Sequence, residues 1–291
     1  MENKSFSAIS NAALRAMDSF YPEKDRLFND KIAYKLLPPL WKLFVWFMKI
    51  SFLREMIYKI RNKQMPGVIA NLIYRTKYID DLLNENLKQN IEQVLILGSG
   101  FDTRAYRFKS EKVIYFEVDH PDTMKLKKER VKKHLDKQID QVEFIAVDFE
   151  KNEMKEIIDK SSFNKNKKTL VIWEGVTQYI NAEAVDNVFD YVSTFQSGSK
   201  IIFTYIKKGV IDGTESTELD EKILSYTEEK GSTWIFGIDE EKIADYVKKR
   251  GFFLKGDVGA DYYYQRYSKL IERDLKSYHG ERTAYAQLRK N

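Results

Sequence analysis

Residues 93–104 read QVLILGSGFDTR: four apolar residues run into a glycine, a serine and a second glycine, with an acid two positions on. A short, uninterrupted apolar run closed by glycines predicts a strand buried on both faces that turns sharply into a helix. Glycine permits that turn and lets a small molecule approach backbone N–H groups at a helix start. Gly98, Ser99 and Gly100 are therefore candidate ligand contacts. A G-x-G turn alone is common, and the third glycine of the dinucleotide fingerprint is missing, with Thr103 in its place. Asp102 adds a negative charge at the helix start, which a phosphate would avoid. The loop favours a nucleoside cofactor without phosphates.

Outward from this stretch, the chain changes character near residue 91. Before it, apolar residues recur at helical spacing over 12–20, 32–37, 40–60 and 68–87, separated by Pro38-Pro39 and Pro66-Gly67. After it, strands are predicted over 93–97, 113–118, 142–147, 169–173, 200–206, 252–255 and 283–288, with helical stretches between most of them. Apolar strands alternating with helices predict an α/β fold whose mainly parallel sheet is covered on both faces. The expected organisation is an N-terminal helical cap or lid over 1–90 and a binding core over 91–291. A charged segment around 207–237 would be a substrate-side insertion in that core.

Ligands of such sheets sit at the carboxyl ends of the strands, so the residues after each strand matter most. Asp119 closes the second strand 21 residues beyond Gly98, near the roughly 20-residue spacing at which an acid meets a ribose diol. Glu117, one pleat earlier on the same face, competes for that role. Asp148-Phe149 follows the third strand, where an acid can bond an adenine amine and a ring can stack. Glu174 follows the fourth and enters the turn at Gly175. Four successive strand tips bearing acids or glycine turns complement adenine, ribose and a cationic amino-acid-like tail. S-adenosylmethionine has those parts, with S-adenosylhomocysteine as its demethylated product.

The whole chain sets wider bounds. Its 291 residues, 43% apolar and 32% charged, suit a soluble globular protein with a full core. A solvated lysine-rich surface explains the net charge of +5 more simply than nucleic-acid binding does. The absence of cysteine excludes disulfides, thiolate nucleophiles and cysteine-bound zinc, and suits a cytoplasmic location. Three scattered histidines show no metal-ligand spacing, so no metal is expected. The N-terminus does not read as a secretory signal. Residues 40–53, LWKLFVWFMKISFL, are too short and too lysine-interrupted to span a bilayer. Their aromatics Trp41, Phe44, Trp46 and Phe47 read first as core, otherwise as a pocket roof, an in-plane membrane helix or a dimer contact.

The motifs VLILGSGFDTRAYRF, YFEVDHP, VDF and LVIWEGVTQYI, in this order, resemble the leucine carboxyl methyltransferase family, and most closely its bacterial branch of S-adenosylmethionine-dependent O-methyltransferases acting on polyketide-type metabolites. ALRAMDSFYPEKDRLFNDKIAYKLL and IYRTKYIDDLL extend the likeness over most of the chain. The resemblance implies a class I methyltransferase, Rossmann-like, with a seven-stranded sheet and an N-terminal helical cap. It assigns Gly98 and its neighbours to the methionine and ribose end, Asp119 to the ribose, Asp148 and Phe149 to adenine, Glu174 to the methionine amine and Arg75 to the cofactor carboxylate. A guanidinium suits that last task because it holds a carboxylate through two parallel hydrogen bonds. The implied reaction is O-methylation of a carboxylate or hydroxyl on a small apolar or aromatic acceptor. Carboxyl methylation of a protein C-terminus, nicotinamide-dependent oxidoreduction and a catalytically idle nucleoside sensor are the alternatives. A carboxylate acceptor needs no general base, and none is assigned; His120, His134, His279, Tyr179 and Tyr205 are the available groups.

Overall fold

The computed structural model describes residues 2–135, 140–149, 151 and 154–289. Five helices come first: α1 (Glu2–Asp18), α2 (Lys31–Leu36), α3 (Pro39–Phe47), α4 (Ser51–Gln64) and α5 (Val68–Leu87). Strands and helices then alternate as β1 (Gln93–Leu97), α6 (Arg104–Arg107), β2 (Ile114–Asp119), α7 (Pro121–Leu135), β3 (Val142–Ala146), α8 (Met154–Asp159), β4 (Thr169–Trp173), α9 (Ala182–Ser193) and β5 (Lys200–Lys207). The remainder is α10 (Lys208–Ile211), α11 (Glu218–Glu229), β6 (Gly237–Ile238), α12 (Ile243–Lys249), β7 (Phe252–Val258), α13 (Ala260–Tyr267) and β8 (Glu281–Leu288).

Among the described residues the strands form one eight-stranded sheet in the order β3-β2-β1-β4-β5-β8-β7, with β6 pairing β5. β1 to β5 run parallel, and β8 lies antiparallel between β5 and β7. Every residue of β1 and β4 is buried, as their continuous apolar runs require of central strands. Strand order reverses between these two, which opens a crevice at their carboxyl ends. One apolar cluster joins α1, α2 and α5 to one face of the sheet, and a second covers the other face with α9 and α12.

The predicted strands appear with small shifts. The sheet gains the two-residue β6, and β7 runs on past Lys255 to Val258 because the register slips between Leu254 and Gly256. A bulge absorbs one residue and lets pairing resume. The predicted continuous helix over 40–60 is two helices. No proline or glycine breaks it. Instead the Lys49 and Ile50 N–H groups close tight turns on Trp46 and Phe47, and Arg54 Nη1 donates to the Met48 carbonyl at 3.1 Å while its guanidinium stacks 4.0 Å from the Tyr21 ring. A tertiary anchor sets the corner.

Of the four aromatics Trp41, Phe44, Trp46 and Phe47, only Trp41 packs against the core. Phe44, Trp46 and Phe47 are exposed and Trp41 is half-buried; α3 is held down by the buried Val45 and Met48 instead. No helix among the described residues is long and apolar enough to cross a membrane.

Candidate active site

The carboxyl ends of β1, β2, β3 and β4 are in step. Leu97 pairs with Val118, Asp119 with Ala146 and Ile96 with Ile172, so the residues following each strand emerge side by side. Two backbone bonds lock the tips together: Ser99 N–H to the Val118 carbonyl at 2.9 Å, and Val147 N–H to the Asp119 carbonyl at 2.8 Å. Above them lies a cavity of about 330 Å³. Arg75, Gly98, Ser99, Gly100, Asp119, Asp148, Phe149 and Glu174, all eight of the predicted site residues, line it.

The glycine loop is shaped by contacts that leave no room for side chains. Gly98 sits at φ +65°, and a Cβ there would lie 2.2 Å from Val176 Cγ2. Gly100, at φ +44°, faces Ala8 of α1. α1 thus lies directly over the loop, and Arg15 from the same helix fixes it by donating from Nη2 to the Phe101 carbonyl at 2.7 Å. The buried Ser99 Oγ has no hydrogen-bond partner among the described residues.

Asp119 and Glu117, rivals on one strand, have separate fates. Glu117 is fully buried and paired at 2.8 Å with the equally buried Lys127, and it accepts from Tyr106 Oη. Burial, only partly offset by Lys127, pushes its carboxyl up to about 7. Asp119 faces the cavity. One carboxylate oxygen accepts from Gly100 N–H and the other from His120 N–H, and burial raises its pKa against those two bonds. A carboxylate offers about four acceptor positions, so two remain for a ligand diol. His120 Nε2 stands 3.7 Å from Asp148 Oδ2 at the cavity's edge.

Glu174 and Arg75 belong to a buried ion network that the sequence does not announce. Arg75 Nε donates to Glu174 Oε1 at 2.9 Å, and Arg75 Nη1 grips Glu281 of β8 at 2.5 and 2.7 Å. Arg104, 2% exposed, donates to Asp80 of α5, to Asp102 and to Glu174 Oε2. Burial alone would raise the Glu174 carboxyl, but Arg104 and Arg75 more than offset it and hold it at about 2. Asp102 is likewise held at about 2, against burial, by Arg104, Arg15 and Lys127. Arg75 keeps Nη2 toward the cavity, 3.2 Å from where a Gly175 Cβ would stand. Two of its three guanidinium nitrogens, Nε and Nη1, are thus spent on protein carboxylates.

Asp102 also fills the start of α6, accepting from Arg104 N–H at 2.6 Å. The buried Thr103 hydroxyl donates to Asp30 at 2.7 Å. The place where a dinucleotide fold presents free N–H groups to a diphosphate is occupied by the chain's own acid. Asp102, Asp119, Asp148 and Glu174 all line the cavity, with Arg15 and Arg75 as its guanidiniums. That donor set fits a nucleoside bearing positive charge and repels a diphosphate.

A second cavity of about 130 Å³ adjoins the first, sharing Ser7, Asn11, Arg75, Gly175, Tyr179 and Ser232 with it. Its walls include Leu14, Ile69, Leu72 and Trp234. Gln178, 3% exposed, contributes a side-chain oxygen with no hydrogen-bond partner among the described residues.

This sheet order, with its antiparallel β8, and the crevice at β1 and β4 are those of class I S-adenosylmethionine-dependent methyltransferases. A methyltransferase structure from Thermobifida fusca, itself assigned by inference, superposes with a TM-score of 0.58 at 15% identity, covering 95% of this chain and 94% of that one. A duf574 family protein from Streptomyces avermitilis gives 0.57 at 13% identity, covering 79% and 88%. The family profile described as leucine carboxyl methyltransferase matches residues 8–193, and the chain belongs to that family. Among curated relatives, inferred S-adenosyl-L-methionine-dependent methyltransferases of Mycobacterium marinum and Bacillus subtilis (YktD) are 26% and 30% identical over 71% and 61% of this chain. Those alignments span 67% and 54% of the relatives' own lengths.

Proposed function

We propose that the protein transfers the methyl group of S-adenosylmethionine to a carboxylate or hydroxyl oxygen of a small apolar or aromatic metabolite. The observation that carries this reading is the convergence of the Gly98–Gly100 loop, Asp119, Asp148, Phe149 and Glu174 on one phosphate-averse cavity, with an annex walled in part by Leu14, Ile69, Leu72 and Trp234 and rimmed by Arg61, Lys230 and Glu281. S-adenosylmethionine supplies an activated methyl on a sulfonium, whose charge disappears during transfer.

The chain's own residues bind and orient. Asp119 takes the ribose hydroxyls, and Asp148 with Phe149 holds the adenine. Nη2 of Arg75 meets the amino-acid carboxylate, while Glu174, kept ionised by Arg104, favours the ammonium. The annex between α1 and α5 holds the acceptor and excludes water, so that alignment supplies much of the rate. A carboxylate acceptor loses no proton. A hydroxyl acceptor would lose one, and His120 and Tyr179 line the cavity where it would be taken up. The first ninety residues then act as the cap, with α1 over the loop.

Calorimetry with S-adenosylmethionine, S-adenosylhomocysteine and NADH tests the reading. The first two bind and NADH does not; Asp119→Ala weakens binding of both about a hundredfold, the order expected when two charge-assisted bonds are lost. NADH binding in place of the other two, or an unchanged affinity in Asp119→Ala, refutes it.

A further inference from the structure

α3 and α4 expose apolar surface out of proportion to the rest of the molecule. Of sixteen large apolar side chains exposed among the described residues, nine lie between Leu40 and Ile60. Leu40 is 82% exposed, Phe52 73% and Trp46 48%. Scattered exposed leucines need no explanation, but a grouped set marks an interaction surface. The grouping is physical: Phe52, Met56 and Ile60 recur at four-residue spacing on one side of α4. Trp46 and Phe47 meet edge to face at 5.1 Å, and Trp41 and Phe44 at 6.3 Å.

Charge identifies what covers this face. Residues 39–64 hold six basic side chains (Lys42, Lys49, Arg54, Lys59, Arg61, Lys63) and one acid, Glu55. Lys49, Lys59 and Lys63 are exposed. Behind them, Lys42 Nζ lies 3.0 Å from His134 Nε2 of α7. Burial lowers the pKa of both groups, and Arg130 and Lys133 lower each further. A second copy of the chain is a poor occupant, because a two-fold contact would set this basic face against itself with Glu55 as its only acid. Both helices fall well short of the roughly 20 residues that span a bilayer. Short helices with apolar faces and basic edges lie flat in the headgroup region.

We propose that the α3–α4 face docks onto an anionic lipid bilayer. Trp46, Phe47 and Phe52 enter the headgroup–acyl boundary, and Lys49, Lys59 and Lys63 meet lipid phosphates. This inference goes beyond methyl transfer and does not depend on it.

Vesicle sedimentation with the full chain, read together with tryptophan emission, tests it. The vesicles are phosphatidylcholine alone and phosphatidylcholine with about one third phosphatidylglycerol, an anionic share that gives a substantial surface potential. The protein sediments with the anionic vesicles, its emission moves to the blue, and added salt releases it. Trp46→Ser with Phe47→Ser, and Lys49→Glu with Lys59→Glu and Lys63→Glu, each reduce partitioning by about tenfold or more. These side chains are exposed, so circular dichroism and melting stay as in the parent chain. Folded protein that ignores anionic vesicles overturns the proposal, as does equal binding to both compositions. A concentration-dependent dimer in sedimentation velocity that Trp46→Ser dissolves overturns it too, by giving the face to a second copy.

Discussion

Two guanidiniums converge on the carboxylate of Glu174, one from Arg75 on α5 and one from Arg104 on α6. A single acid at a strand tip would be poised to take a proton as it is buried; here the pair keeps it ionised. The consequence for stability has a definite sign. Glu174 is held at about 2 in the fold against 4.5 ordinarily, so its contribution is complete above 4.5 and lost as pH falls toward 2. Glu117, raised to about 7, acts oppositely, its contribution being complete below 4.5 and lost as pH rises through 7. The comparison that isolates Glu174 is therefore with Glu174→Gln. In urea unfolding between pH 6 and pH 3 the parent chain should lose about 2 kcal/mol more than that variant. Equal losses would mean that the two arginines do not depress this group.

At the scale of elements, the β1 loop and the turn after β4 are fitted to each other. Gly98 needs both its left-handed backbone and the space that Val176 would otherwise claim. Gly98→Ala should cost about 1–2 kcal/mol for the backbone and more for the clash. Val176→Ala on the same chain removes the 2.2 Å obstacle and should return the clash portion in urea melts, leaving the backbone cost. Sequence reading located these elements well. Continuous apolar runs and glycine turns are local signals, and β1 and β4 appear with their predicted limits. The corner between α3 and α4 was invisible because Tyr21 and Arg54, which fix it, meet only in three dimensions. Trp46 and Phe47 misled for a related reason: apolar periodicity reports amphipathicity, and it cannot say whether the apolar side faces the interior.

Across the whole molecule the candidate site is held by partners far apart in the chain. All the strand-tip residues could be picked out because each follows a recognisable strand. Arg104 could have been suspected from its place within GFDTR, but its partners Asp80 and Glu174 lie 24 and 70 positions away, and Glu281 lies 206 positions from Arg75. No local pattern encodes such pairs.

β8 adds a consequence in time. It is the last strand of the sheet to be synthesised, yet it sits inside the sheet and delivers Glu281 to Arg75. Until it emerges from the ribosome, β5 and β7 present two open edges, and a guanidinium destined for burial lacks one of its counter-ions. A chain ending at residue 279 should accumulate as aggregate, and separately added 280–291 peptide should recover soluble protein if edge pairing is what is missing. Closure of the sheet thus waits for a strand made after the other seven, and the ligand-holding centre waits with it.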